Sequence, residues 1–178
     1  MGKLSVRANI AEIAMSLLVL LCVLQRSDGT KEKTTHLHFY FHDRLAGINA
    51  TAVAVASANV TSATGFGGVV VLDDPLTEGP NVTSKLLGRA QGLYAGVGQE
   101  QHVLLMVLTF VFQTGEYNGS TLTMVGNDVI FNKVRELPIV GGSGVFRLAR
   151  GYALLQTITA ASSPGNATVE HNVTVYHY

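Results

Sequence analysis

Cysteine occurs once, at Cys22, tryptophan is missing, and charged side chains make up only 13% of the 178 residues. Each shortage excludes something. One thiol cannot close an internal disulfide, so the fold must be held by its core or by subunit contacts. No Cys/His or Ser/His/Asp nucleophile set is recognisable. The 12 Lys and Arg balance the 12 Asp and Glu, and no basic run is interleaved with aromatics. Nothing therefore recommends a nucleic-acid partner. Low charge combined with 47% hydrophobic residues argues against disorder and suits one compact domain with a substantial core.

The first 29 residues differ from the rest. Lys3 and Arg7 precede a mostly apolar run from Ile10 to Leu24, followed by the polar stretch Gln25-Arg26-Ser27-Asp28. That is the layout of a secretory signal peptide, with small Ser27 and Gly29 at the positions a signal peptidase reads. A run of about 15 apolar residues broken by Glu12 is short for a bilayer span. The expectation is a signal peptide at 1–29, a mature domain at 30–178, and no membrane segment in the mature form. The mature chain would keep nine basic and ten acidic residues and lose Cys22. Six Asn-x-Ser/Thr sequons follow, at Asn49, Asn59, Asn81, Asn118, Asn166 and Asn172. Their number favours a glycosylated, extracellular product, with each glycan needing an exposed asparagine.

Residues 36–44 alternate, with Leu37, Phe39, Phe41 and Asp43 on one face and His36, His38, Tyr40 and His42 on the other. Valine-rich stretches at 50–57 and 67–73 end at Asn, Gly or Pro, and 86–97 and 102–113 continue the strand pattern. The Asn118-Gly119 pair signals a hairpin before a strand at 120–131, and further strands are expected near 146–160 and 168–178. Eight strands with short connections predict an all-β fold, an antiparallel barrel or sandwich. A closed eight-stranded barrel leaves room for side chains or one small ligand. In 102–113 both parities are apolar, Val103, Leu105 and Val107 against Leu104, Met106 and Leu108. Strands covered on both faces imply a homo-oligomer with part of the outer wall buried.

The stretch from Gly126 to Tyr152 joins two of these strands and places Asp128 seven residues before Arg135. Asp128 follows Leu122, Met124 and Gly126 at a spacing of two, so a strand aims all four the same way, toward an apolar interior. A buried carboxylate costs several kcal/mol, roughly, unless a partner or a raised pKa relieves it. Asp128 and Arg135 are thus either a structural ion pair or part of a site. His36, His38 and His42 lie opposite the phenylalanine row without an evident acidic partner, so no metal is expected, and the row should face solvent or a subunit. Gly141-Gly142-Ser143-Gly144 lacks the lysine of a phosphate loop and is expected to be a turn. Asp73-Asp74-Pro75 reads as a strand end, with Asp73 near a cavity mouth.

The blocks His42-Asp43, VLDDPLTEGP (71–80), GRAQGLY (88–94), YNGSTL (117–122), RELPIVGGSGVFRLARGY (135–152) and VEHNVTVYHY (169–178) together resemble the dirigent proteins of plants. The likeness runs from about Leu37 to Tyr178. It implies a secreted, apoplastic, eight-stranded antiparallel barrel of the dirigent and allene-oxide-cyclase-like kind, assembled as a trimer, with a phenolic-binding cavity in each subunit. Dirigent proteins steer the coupling of two phenoxy radicals, typically from coniferyl alcohol, toward one stereoisomer of a lignan. A separate laccase or peroxidase makes the radicals, and no cofactor is expected. Some members with similar blocks are instead enzymes that dehydrate an isoflavonoid alcohol to a pterocarpan, and a cell-wall-binding module is a third reading. The resemblance places the family's cavity acids on Asp43 and Asp128, its motif arginine on Arg135 and its cavity tyrosine on Tyr94.

Both chemistries handle a quinone methide, which closes to a ring when its oxygen gains a proton and the attacking hydroxyl loses one. Two carboxyls in an apolar cavity suit that exchange, because desolvation lifts their pKa toward the range where they give and take protons. Arg135 could hold one acid as its anion or bind a developing phenolate, and Tyr94 could donate to a phenol or methoxy oxygen.

Overall fold

The computed structural model describes residues 13–19, 31–58, 60–160 and 166–178. The chain divides into two compact units, Met1–Lys31 and Glu32–Tyr178. In the first, residues 13–19 are helical, and most of the expected signal peptide lies outside the described residues. No helix among the described residues is long and apolar enough to cross a membrane.

The second unit is a sheet of nine antiparallel strands: β1 (Lys33–Arg44), β2 (Ala52–Ala56), β3 (Val69–Thr77), β4 (Leu86–Gly96), β5 (Val103–Phe112), β6 (Thr121–Val129), β7 (Arg135–Ser143), β8 (Arg150–Ala160) and β9 (Asn166–His177). Pairing runs β1-β9-β8-β7-β6-β5-β4-β3 and returns from β3 to β1 at Leu76 and Thr77, which closes an eight-stranded barrel; β2 pairs with the first part of that same β3 edge, Val69–Leu72. The expected fold is therefore present, but its members differ from the sequence reading. The segment at 50–57 gives β2, outside the closed ring. Its place in the ring is taken by β7, which lies in the Gly126–Tyr152 stretch expected to join two strands.

Strand β7 was obscured by its composition. Gly141-Gly142-Ser143-Gly144 suggested a turn, yet before it Arg135, Leu137 and Ile139 are buried while Glu136, Pro138 and Val140 are exposed, a clean period of two. Pro138 is tolerated because the β6–β7 ladder runs only from Thr121↔Ser143 to Met124↔Ile139, so no β6 partner lies opposite it. The expected glycine turn is likewise displaced. Gly141 and Gly142 belong to β7, beside a bulge, and the chain turns at Gly144 (φ +63°) into a short 3₁₀ segment, Gly144–Phe146.

Inward residues follow the alternation: Phe39 and Phe41 from β1, Leu72, Asp74 and Leu76 from β3, Met106, Leu108 and Phe110 from β5, Leu122 and Met124 from β6. At one end of the barrel Phe112, Tyr117 and Phe146 pack together at centroid distances of 5.0 to 6.1 Å. On the outside, the register lines up Val53, Val71, Leu93, Val107 and Val125 in one apolar row across five strands. Val53 and Val71 in that row are exposed, at 62% and 46%.

Gly92 shows how tightly the wall bends. At φ +150° its backbone is one that side chains resist, and a Cβ there would lie 2.1 Å from the Val107 carbonyl oxygen. Gly92→Ala is expected to cost about 2 kcal/mol, by forcing β4 from β5 or straining the backbone. A chemical-denaturation midpoint unchanged from wild type would refute this.

Candidate functional site

Strand direction alternates around the ring, so β1, β4 and β6 end, and β7 begins, at the same rim. Asp43, Tyr94, Asp128 and Arg135 all sit there, at the end away from the Phe112, Tyr117 and Phe146 rings. They form two clusters rather than one, on facing walls of the barrel.

The first cluster lies at the β1–β3 seam. The Tyr94 hydroxyl donates to Asp43 Oδ2 at 3.0 Å. Burial pushes the Asp43 carboxyl up to about 6, the tyrosine bond opposing it, and burial together with the Asp43 charge raises the Tyr94 phenol. A cavity of about 200 Å³ opens beside Asp43, lined also by His42, Arg44, Val82, Asn166, Ala167 and Thr168.

The second cluster lies where β6 and β7 have stopped pairing. Arg135 Nε donates to Asp128 Oδ1 at 2.8 Å, and both side chains are 5% exposed. Arg135 Nη1 donates to Thr157 Oγ1 at 2.9 Å. Burial holds the Asp128 carboxyl above its ordinary range although the guanidinium pulls it down. The ion pair thus bridges a gap left by the backbone ladder.

Two residues near these clusters, Asp74 and His171, were not assigned to a site from the sequence. Asp74 is fully buried, and the Thr51 hydroxyl donates to its Oδ1. Burial, with the Asp43 charge adding to it, pushes its carboxyl up to about 7. Asp73, which the sequence placed near a cavity mouth, points outward and accepts from Arg89 Nε at 2.6 Å and Gln91 Nε2 at 3.2 Å. The signal was present: Val70, Leu72, Asp74 and Leu76 share one parity, the same argument that found Asp128. His171, on β9, is 1% exposed and stacks on Phe39 at 5.3 Å. Its Nδ1–H donates to the Val169 carbonyl at 3.1 Å, which leaves Nε2 as a buried acceptor. Burial lowers its pKa to about 4.

The histidine row of β1 divides. His36 and His38 are exposed and bond Thr174 and Glu170, whereas His42 is 3% exposed and bonds Thr77 at 2.7 Å, so it does not face solvent as expected. Among the sequons, Asn49, Asn81, Asn118 and Asn172 are exposed, and Asn59 lies outside the described residues. Asn166 is half-buried, its amide oxygen accepting from the Ala46 N–H and its nitrogen donating to the Ala46 carbonyl.

What these observations define is a closed antiparallel barrel with an aromatic cluster at one end, beside a cavity of about 330 Å³ lined by Phe39, Phe112 and Tyr117, and inward-facing acids, an arginine and a tyrosine at the other. Residues 34–176 match the model of the Dirigent-like protein family. The chain is 52% identical over 148 residues to Dirigent protein 1 of Arabidopsis thaliana, covering 82% of this chain and 80% of that protein. It is also 48% identical over 151 residues to Pterocarpan synthase 1 of Glycyrrhiza echinata, covering 83% and 80% respectively. The solved structure of a pterocarpan synthase dirigent protein superposes with a TM-score of 0.79 at 46% identity, covering 85% of this chain and 88% of that one. This protein belongs to the dirigent family.

Proposed function

We propose that the protein is a secreted dirigent protein whose barrel holds phenylpropanoid radicals, such as those of coniferyl alcohol, and fixes the face on which they couple in lignan formation. The carrying observation is the pairing of Tyr94 with Asp43 and of Arg135 with Asp128 at one rim of a closed barrel. These groups offer hydrogen bonds and charge to phenolic oxygens, and nothing in the proposed role requires the protein to oxidise its guest. An external laccase or peroxidase supplies the radicals. The apolar row from Val53 to Val125 supports burial between subunits, in a homotrimer. Residues 1–29 serve as the signal peptide and direct the mature chain to the apoplast.

The test is coniferyl alcohol with a one-electron oxidant, with and without the protein, resolved by chiral chromatography. Enantiomeric excess at an unchanged oxidation rate supports the reading; racemic dimers reject it for that substrate. A second reading, a dehydratase or cyclase acting through a quinone methide, is favoured by the 48% identity to a pterocarpan synthase. Turnover of an isoflavanol without oxidant selects it. Binding to wall glycans with neither activity would select a cell-wall module. In either chemical reading, Asp128→Asn is expected to erode enantiomeric excess or lower turnover by roughly 10²-fold. Unchanged chirality and rate would remove Asp128 from the site.

A further inference from the structure

The β1–β3 seam contains two backbone pairs, Tyr40↔Thr77 and Phe41↔Leu76. Past those pairs Thr51 stands between the two strands, its N–H donating to the Arg44 carbonyl and its carbonyl accepting from the Asp73 N–H, so that Asp43 and Asp74 lie on either side of it at the same rim. Both side chains point inward, and each carboxyl is half satisfied. Asp43 Oδ2 accepts from Tyr94 and Asp74 Oδ1 from Thr51, while Asp43 Oδ1 and Asp74 Oδ2 are buried without a hydrogen-bond partner among the described residues. The neighbouring cation, Arg89, is engaged outward by the side chain and carbonyl of Asp73. Two adjacent carboxylates, each with an orphaned buried oxygen, are costly as a pair of anions.

We propose that Asp43 and Asp74 hold one proton between them at neutral pH, which makes Asp74 a positioning residue that sets the charge on Asp43. A proton on either acid relieves the repulsion between them and the cost of its buried, unpartnered oxygen. It leaves the pair with a single negative charge, and the Thr51 and Tyr94 hydroxyls hold one oxygen of each acid. The raised pKa of each acid agrees with this arrangement, and the groups that bear on it are Asp43 from β1, Asp73 from β3, and Arg89 and Tyr94 from β4. Such a pair can give its proton to a methide oxygen and regain one from the attacking hydroxyl, ending as it began. That use rests on the function proposed above; the shared proton does not.

The experiment is a ¹³C-carboxyl NMR titration of the full chain from pH 4 to 9, on wild type, Asp74→Asn and Asp43→Asn. Wild type is expected to show two coupled steps at these acids, with one proton retained near neutrality. In Asp74→Asn the upper step disappears and Asp43 titrates once, its midpoint lowered by about one pH unit or more. Asp43→Asn should move Asp74 down in the same way, so the coupling is readable even if one variant does not fold. Superimposable Asp43 curves in wild type and Asp74→Asn would overturn the proposal, as would two independent single steps in wild type. Coupled titration in a protein inactive on both substrate classes would uphold the pair and reject the function.

Discussion

Replacing Arg135 with alanine is expected to destabilise the barrel by about 3–5 kcal/mol, because it strands a buried carboxylate. For a domain of this size that corresponds to a melting temperature lower by roughly 10 °C. The reasoning begins with exposure: both side chains are 5% exposed, so water does not screen the pair as it would on the surface. Asp128 already sits above its ordinary range through burial, and the guanidinium is what draws it back. Without Arg135 the carboxyl rises further. The variant's deficit should therefore be largest at pH 8 and shrink toward pH 5, as Asp128 takes up a proton and ceases to be an uncompensated charge. Replacing both partners, Asp128→Leu with Arg135→Met, should recover most of the stability, since an apolar pair carries no desolvation cost. A loss under about 1 kcal/mol for Arg135→Ala would show that the pair is wet and contributes like a surface bridge.

The contrast between those two variants separates holding the fold from doing chemistry. Arg135 reaches Thr157 on β8 as well as Asp128 on β6, so it ties three strands at a rim where β6 and β7 no longer pair. A site at such a seam gains access for a guest at the cost of backbone bonds, and the side-chain bonds replace them. The β1–β3 seam repeats the arrangement, with Thr51 and Tyr94 bracing two acids beyond the last backbone pair. In both places the polar groups lie where the cylinder opens.

Alternation along single strands was legible in the sequence, and it located Phe39, Phe41 and Asp43 on one face and Leu122, Met124 and Asp128 on another. What lay beyond it was pairing between distant strands. His42 has the parity of the exposed His36 and His38, yet it is covered because Thr77 from β3 and Thr168 from β9 close over it. No local pattern announces that. Asp74 was hidden for a different reason: Pro75 follows it and suggested a strand end, whereas β3 runs on to Thr77 along the β1 seam. Strand β7 likewise runs through a proline, Pro138. In both strands the alternation of burial survived the proline, so period outweighed the breaker. The family resemblance supplied Tyr94 and Asp43 as site residues, but it did not supply Thr51, whose hydroxyl reaches Asp74 from just before the short strand outside the ring.

His171→Phe is expected to change the pH dependence of stability more than any other single substitution outside the two acid clusters. The imidazole is enclosed by Phe39, Phe41 and Phe110, and burial, aided by the nearby Arg135 charge, lowers its pKa to about 4. The unfolded chain protonates it near its ordinary value of 6.5. Between those values the unfolded state binds the extra proton, so the folded state loses stability as pH falls from about 6.5 to about 4, by roughly 3 kcal/mol. Asp43 and Asp74 act with the opposite sign. Their raised values make the folded state the one that holds protons, so their contribution is greatest at low pH and is lost as pH rises through about 6 and about 7. In wild type the two trends oppose each other between pH 4 and 6.5. Phenylalanine at 171 removes one of them. The variant should therefore gain on wild type by about 3 kcal/mol on going from pH 7 to pH 4, and its own stability should fall as pH rises across that range. Any constant effect of losing the bond to the Val169 carbonyl cancels in this comparison. Urea unfolding at a series of pH values measures it directly, and a difference between variant and wild type that stays flat with pH would mean that His171 is not held neutral within the barrel.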